Sequence, residues 1–463
     1  MKIGLISLGC AKNLVNSEQM MYLLKEAGFN VSGDYDNADA VIINTCGFIE
    51  SAKTEAIETI LEMGAAKAEG KIGRLIVAGC LAQRYKNEIL TEMPEIDAVV
   101  GTGSFDEIVE VIQTCGAEHC SLRHLPRNSM TQRTNVLHHI QYFNDIHAPV
   151  SETGRIISTS AHWAYLKIAE GCDNRCAYCC IPDIRGRFRS RPMENIVNEA
   201  RELASRGYIE LIIVAQDVTM YGLDLYGRRR LTDLLSELCE IDQLKWIRLH
   251  YLYPYEIDDE LIDLIAKNDK ILKYLDIPVQ HINDGILQNM NRRGTSAGIR
   301  GLFRKIRERI PGVVIRTSVI TGLPGEGEAE FEELCDFLRE MKFERAGVFP
   351  YSPEEGTAAA LMERPDAETA MHRASHIAEL QSKIMDDYNK CRIGSITQIL
   401  LEKPNLEFQY QYGRSYAESP DVDGYIIIKD TKNHTQALSI NKNALVNIRI
   451  TGIENGELVS VLI

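Results

Sequence analysis

The sequence predicts an α/β protein in three parts. These are an N-terminal doubly wound parallel sheet, a central partial TIM-like (β/α)6 barrel and a small antiparallel β-barrel at the C-terminus. Two observations predict it. Short apolar runs alternate with helical patterns over residues 1–115 and again over 161–385, the signature of parallel sheets. From residue 391 to 463 the composition shifts to Thr-, Val- and Ile-rich runs punctuated by Gly and Asn. Residues 116–160 have mixed polarity and read as a connector. At 463 residues, two to four domains are expected.

The first run, Lys2–Leu8, ends at Gly9-Cys10, and a helical pattern follows from about Ser17 to Ala27. The second, Ala40–Asn44, is followed by Thr45-Cys46-Gly47 and a helix from about Ile49 to Met63. The third, Leu75–Ala78, is followed by Gly79-Cys80. In a parallel sheet all strand carboxyl ends lie on one edge, where ligands bind. Cys10, Cys46 and Cys80 are therefore expected to converge although 36 and 34 residues separate them. Three converging thiolates suit a [4Fe–4S] cluster with one open iron; the plainer alternative is three unrelated core cysteines.

In the central part, candidate strands are Ala164–Ala169, Leu211–Ala215, Trp246–Leu249, Tyr274–Ile277, Val313–Ile320 and Ala346–Tyr351. Helical patterns such as Met193–Ser205, Leu231–Cys239 and Glu328–Met341 fall between them. A barrel of this kind carries its site at the carboxyl ends of its strands. The loop after the first strand holds Cys172, Cys176 and Cys179, a Cys-x3-Cys-x2-Cys run. Three thiolates at that spacing can bind three irons of a cube and leave the fourth open for chemistry. Zinc is the competing occupant, but it usually takes four ligands in two close pairs, and no second pair follows. Cys180 reads as a buried small apolar residue.

Other strand ends offer candidate cofactor contacts. Gln216 and Asp217 follow the second strand and suit an ammonium group. Gln280, with His281, follows the fourth, and Gly322 and Glu326 follow the fifth, where glycine lets backbone approach an adenine or ribose. Ordinary turn chemistry is the alternative for each. Arg185, Arg187, Arg189 and Arg191 alternate, which in an extended segment puts them on one face; we read them as a solvated face rather than an anion grip. Cys115 and Cys120, with His119 and His124, form a loose group without a tight motif, and Cys239, Cys335 and Cys391 read as structural. Gly101-Thr-Gly103 is only a fragment of a dinucleotide fingerprint.

Net charge is −15, which disfavours broad binding to nucleic acid and suits a basic protein partner. The C-terminal barrel is not basic either, with seven Lys/Arg against eight Asp/Glu over residues 391–463. Its Glu418, Asp421 and Asp423 form a candidate docking surface for a basic partner. No apolar run approaches the ~18 residues of a membrane span. The first residues read as a strand rather than a signal peptide. A cytoplasmic location is expected, with the twelve cysteines as ligands or buried thiols rather than disulfides.

The Cys172 segment resembles the radical S-adenosylmethionine (radical SAM) enzymes, which place an aromatic residue where Tyr178 stands, against the adenine. The whole chain resembles the methylthiotransferases, whose order is a three-cysteine domain, a radical SAM barrel and a TRAM barrel. The carriers are Ser7-Leu-Gly-Cys10-Ala-Lys-Asn, Asn44-Thr-Cys46-Gly-Phe, Ala78-Gly-Cys80-Leu-Ala-Gln-Arg, Gln216-Asp-Val-Thr-Met-Tyr-Gly-Leu-Asp and Gly413-Arg-Ser-Tyr-Ala-Glu-Ser-Pro-Asp-Val-Asp-Gly. Within that family the chain is most similar to members that modify an aspartate of a small-subunit ribosomal protein. Those that modify tRNA usually carry Gln-Asn where this chain has Gln216-Asp217. Two departures are Cys180, where an aliphatic residue is usual, and Gly327, where Thr or Ser is common.

The resemblance implies two [4Fe–4S] clusters and two molecules of S-adenosylmethionine. One methylates a sulfur carried at the N-terminal cluster. The other is cleaved at the Cys172 cluster to a radical that takes a hydrogen from the aspartate β-carbon, where the methylthio group is attached. It also implies a one-electron donor such as flavodoxin or ferredoxin, and a sulfur-delivery partner. Two alternatives stay open: a tRNA adenosine methylthiotransferase and, further off, a non-catalytic iron–sulfur scaffold.

Overall fold

A computed structural model describes residues 1–117, 140–402, 411–429 and 445–463 of the chain. His119, Cys120 and His124 lie outside the described residues.

The N-terminal part runs β1 (Lys2–Ser7), α1 (Ala11–Glu26), β2 (Asn30–Ser32), β3 (Ala40–Thr45), α2 (Glu50–Ala68), β4 (Leu75–Gly79), α3 (Cys80–Glu92), β5 (Ala98–Val100), α4 (Ile108–Ala117) and β6 (Ile140–Tyr142). The sheet order is β2-β1-β3-β4-β5-β6, and every pairing is parallel. The strands are continuous apolar runs because helices cover both faces. Val41, Ile43, Leu75 and Val77 meet Ala56, Ile60 and Met63 of α2 and Leu81 and Ala82 of α3. Their neighbours Ala40, Ile42, Ile76 and Ala78 meet Met20 and Leu24 of α1 and Val111 and Ile112 of α4 on the opposite face. The stretch expected as a connector supplies the sixth strand, since Ile140–Tyr142 pairs with Ala98–Val100.

The central part runs β7 (Trp163–Lys167), β8 (Ala169–Glu170), α5 (Ile181–Arg185), β9 (Arg189–Ser190), α6 (Met193–Ser205), β10 (Glu210–Val214), α7 (Leu223–Tyr226), α8 (Leu231–Cys239), β11 (Trp246–Leu249), α9 (Asp259–Lys267), β12 (Ile271–Asp276), α10 (Asp284–Asn289), α11 (Ser296–Arg309), β13 (Val314–Thr321), α12 (Glu328–Met341), β14 (Arg345–Pro350) and α13 (Ala367–Cys391). Six parallel strands lie in the order β14-β13-β12-β11-β10-β7, so the barrel is open between its first and last strands. Helices α6, α8, α9, α11 and α12 cover the outer face. Gly327 takes the N-cap of α12 without a hydroxyl, and its N–H is instead satisfied by the Glu330 carboxylate at 2.9 Å.

The C-terminal part is a closed barrel, β15-β16-β17-β19-β18, built from β15 (Ile396–Leu401), β16 (Gln411–Arg414), β17 (Ile426–Ile428), β18 (Leu445–Glu454) and β19 (Glu457–Leu462). Its Leu400 and Ala417 join Val15 of α1 on the inner face of the central sheet, against Trp163, Tyr165, Ile212, Trp246 and Tyr274. An ionic layer locks this contact. Glu210 accepts from Arg248 at 2.8 Å and from Arg414 at 2.9 Å, all three fully buried.

This layer corrects the reading of Glu418, Asp421 and Asp423 as a docking surface. Glu418 is 2% exposed and is claimed by Arg345, Arg392 and the Ser415 N–H. Asp423 accepts from the Tyr274 hydroxyl at 2.6 Å and from the Ser419 N–H at 2.9 Å. Only Asp421 faces solvent. Cys239 and Cys335 are buried, as expected of structural thiols, whereas Cys391 is exposed. Among the described residues no helix is long and apolar enough to cross a membrane.

Candidate active site

β1, β3 and β4 are adjacent parallel strands, and each ends at one of the expected thiols. Cys10 caps α1, Cys46 directly follows β3, and Cys80 opens α3. The glycines beside them are there for closeness. Gly9 has φ +89°, and a Cβ on it would stand 2.7 Å from the Cys46 Cβ. A Cβ on Gly47 would stand 2.8 Å from the Leu81 nitrogen, one residue past Cys80. Asn13 laces the strand ends together, donating to the Leu8 carbonyl at 2.7 Å and to the Asn44 carbonyl at 3.2 Å.

The thiols feel one another. Burial, then Cys80 and Cys10, push the Cys46 thiol up to about 12. Burial also raises Cys80, with Arg185 opposing. For Cys10 burial again raises the value, but Lys12, Arg185 and the Asn13 and Lys12 amides outweigh it and hold it below the ordinary thiol range. Three crowded cysteines with Lys12 and Arg185 beside them would give up their protons on binding the positive irons of a cluster. A [4Fe–4S] cube takes each thiolate on a different iron, so its ligands stand around it rather than on one point.

The second group sits in the loop between β8 and α5. Its backbone is pinned: the Cys172 N–H donates to Gly186 at 3.2 Å and the Ala177 N–H to Met290 at 2.9 Å. The Ala177 carbonyl accepts from Ala359 at 2.9 Å. Burial raises the Cys172 thiol to about 11, and burial with Cys176 nearby raises Cys179 well above its usual range. Tyr178 is buried against Ile286, Met290, Leu323 and Tyr351, and its hydroxyl accepts from Arg292 at 3.0 Å. A cleft of about 320 Å3 opens beside Cys172, lined also by Asn174, Phe188, Asp217, Met220 and Arg293.

The remaining expected residues divide. Gln216 donates to Glu170 at 2.9 Å, while its side-chain oxygen is buried with no partner, an acceptor left for a ligand donor. Asp217 is occupied by Asn174 at 2.7 Å and by the Thr219 N–H and hydroxyl. Gln280 has φ +69°, and its backbone pairs with Ser318 and Ile320 of β13. A Cβ on Gly322 would stand 2.4 Å from the Ala370 Cβ, so this glycine admits α13 rather than open space. Glu326 accepts from the Gly322 N–H and from Arg373, each at 2.9 Å, and its other oxygen lies 3.3 Å from His281.

Two arginines join the two groups: Arg84, which sequence reasoning missed, and Arg185, which it placed on a solvated face. Arg185 donates to Glu170 at 2.9 Å and to the Cys80 sulfur at 3.3 Å. Arg84 donates to Glu354 at 2.6 Å, the Gly47 carbonyl at 3.0 Å and the Cys180 sulfur at 3.5 Å. Cys180 packs with Cys80, Ile184 and Phe48 in one small buried cluster, so the two cysteine loops touch. The solvated arginine face is thus corrected. Arg185 and Arg191 are buried, and Arg191 pairs with Glu152 and Glu199. The period of two fails because 181–185 is a helical turn closed by Gly186 at φ +75°.

Comparison with known proteins follows the same three parts. Residues 2–101 match the model of Uncharacterized protein family UPF0004, 166–338 that of the Radical SAM superfamily and 393–463 that of the TRAM domain. The chain is 46% identical to the ribosomal protein uS12 methylthiotransferase RimO of Acetivibrio thermocellus, over all of this chain and 98% of that one. It is 48% identical to the protein of the same name from Desulforamulus reducens, over 92% of each. Among solved structures it resembles the radical S-adenosylmethionine methyltransferase TsrM of Kitasatospora setae, with a TM-score of 0.57 at 15% identity, over 78% of this chain and 74% of that one. That likeness speaks for the fold alone.

Proposed function

The chain belongs to the ribosomal protein uS12 methylthiotransferase (RimO) family of radical SAM enzymes, and from that premise we propose how its two cysteine sites divide the reaction. It is a methylthiotransferase that modifies ribosomal protein uS12. Radical SAM membership implies a [4Fe–4S] cluster and S-adenosylmethionine. Cys172, Cys176 and Cys179 would hold that cluster, which supplies one-electron cleavage of the sulfonium. Cys10, Cys46 and Cys80 would hold a second cluster, which would carry the sulfur that becomes the methylthio group. The target is the β-carbon of a uS12 aspartate.

One observation carries this reading: three thiols on adjacent strand ends face the radical SAM loop through the Cys80–Cys180 contact. With clusters bound, this contact would hold the two sites in a fixed mutual orientation, which a transfer of sulfur between them would need. Tyr178 offers a buried ring for an adenine, and the unpartnered oxygen of Gln216 offers an acceptor for the methionine ammonium. Asp217 fixes Asn174 at the wall of the cleft. A flavodoxin or ferredoxin would supply electrons, and a sulfur-delivery partner would recharge the N-terminal site. The net charge of −15 suits a basic ribosomal protein and repels tRNA.

Anaerobic reconstitution tests the assignment. The wild-type chain should take up about eight irons. Replacing Cys172, Cys176 and Cys179 by Ala should leave about half, and so should replacing Cys10, Cys46 and Cys80. Full iron in the second triple variant would refute the second cluster.

A further inference from the structure

We infer that Arg185 is a positioning residue that ties the two cysteine sites together and sets the potential of the N-terminal one, through a hydrogen bond to the Cys80 sulfur. The inference rests on the reading of Cys80 as an iron ligand.

Arg185 is 3% exposed, and both terminal nitrogens of its guanidinium are engaged. One terminal nitrogen donates to Glu170 at 2.9 Å and to the Asn16 side chain at 3.2 Å. The other donates to the Asn13 side chain at 3.2 Å and to the Cys80 sulfur at 3.3 Å. Glu170 also accepts from Lys167 at 3.0 Å and from Gln216 at 2.9 Å. An unbroken chain of contacts therefore runs from the Cys80 sulfur through Arg185 and Glu170 to Gln216, the neighbour of the cleft residue Asp217. Asn13 is the same residue that laces the ends of β1 and β3.

The Arg185 guanidinium lies against the Cys80 sulfur on one nitrogen and against the Glu170 carboxylate on the other, and Glu170 divides its charge between Arg185 and Lys167. A donor and a buried cation at a ligand sulfur withdraw charge from a cluster and raise its potential. The geometry is also rigid. Gly186, directly after Arg185, has φ +75°, and a Cβ there would stand 2.2 Å from the Ile146 carbonyl. Lysine is not equivalent, because its single nitrogen cannot reproduce the fork that meets Glu170 and Asn16 on one side and Asn13 and Cys80 on the other.

The test compares full-length wild type, Arg185→Lys and Arg185→Gln after anaerobic reconstitution. Each is prepared as such and with Cys172, Cys176 and Cys179 replaced by Ala, which leaves the N-terminal cluster alone. Redox titration followed by electron paramagnetic resonance reads the midpoint of that cluster. It should move to more negative values in both variants, and further in Arg185→Gln. In the chains with all cysteines, methylthio product per 5′-deoxyadenosine should fall roughly tenfold or more, the scale of a lost charged hydrogen bond. A merely structural arginine would leave the midpoint unmoved. An unmoved midpoint in Arg185→Lys with a full complement of iron overturns the inference, and this variant decides if Arg185→Gln loses its iron. Absence of iron from the triple-alanine chain carrying Arg185 would instead overturn the reading of Cys80 as a ligand, and the inference with it.

Discussion

Replacing Glu418 by Gln should loosen the C-terminal barrel from the central sheet at neutral pH and do little in acid. Glu418 is buried. Burial alone would raise its value, but Arg392 and Arg345 outweigh it and hold the carboxyl at about 2, against an ordinary 4.5. Because the folded value lies below the unfolded one, the contribution is complete above about pH 4.5 and fades as pH falls toward about 2. The difference corresponds to about 3 kcal/mol at pH 7. Gln has the shape of the neutral carboxyl and so lacks this contribution at every pH. Hydrogen exchange at the Ser415 amide, which donates to Glu418 at 3.0 Å, and along Ile426–Ile428 reports the opening. At pH 7 the variant should exchange on the order of a hundredfold faster than wild type, shrinking to roughly tenfold at pH 3. Comparing both chains at the same pH cancels intrinsic exchange. A variant as protected as wild type at pH 7, or a ratio that does not narrow in acid, would refute the reasoning.

Gly9→Ala places a Cβ 2.7 Å from the Cys46 Cβ at φ +89°, so it should lose about half the reconstituted iron, read by iron analysis, while still cleaving some S-adenosylmethionine. Cys180→Ala should keep both clusters and most activity, since Cys179 already stands at the required spacing; loss of half the iron would make Cys180 the ligand. Gln216→Ala removes the buried acceptor and should raise the KM for S-adenosylmethionine roughly tenfold with iron unchanged, measured by 5′-deoxyadenosine formation.

What the sequence revealed follows from which forces are local. Cys10, Cys46 and Cys80 could be brought together on paper because a parallel sheet puts all strand ends on one edge. The six central strands were legible for the same reason. β5 and β6 were not, each being three residues long, too short to show a period. The first turns of α1 were also missed. Lys12, Asn13, Asn16, Ser17 and Glu18 are buried there in place of apolar residues, because they serve strand ends and ion pairs rather than a core. Glu418 and Arg185 were misread because their partners are remote. Arg345 lies 73 residues from Glu418, and Cys80 lies 105 residues from Arg185. A charge run in a sequence carries no record of which opposite charges the fold will bring to it.

The account stands most directly on the product. Wild-type enzyme, reconstituted anaerobically, is incubated with S-adenosylmethionine, sulfide, a one-electron reductant, ribosomal protein uS12 and tRNA, and both macromolecules are examined by mass spectrometry. The account predicts a methylthio increment on one aspartate of uS12, none on tRNA, and none on either with Cys10, Cys46 and Cys80 replaced by Ala. A methylthio increment on tRNA, or full modification of uS12 by the triple-alanine chain, would contradict it.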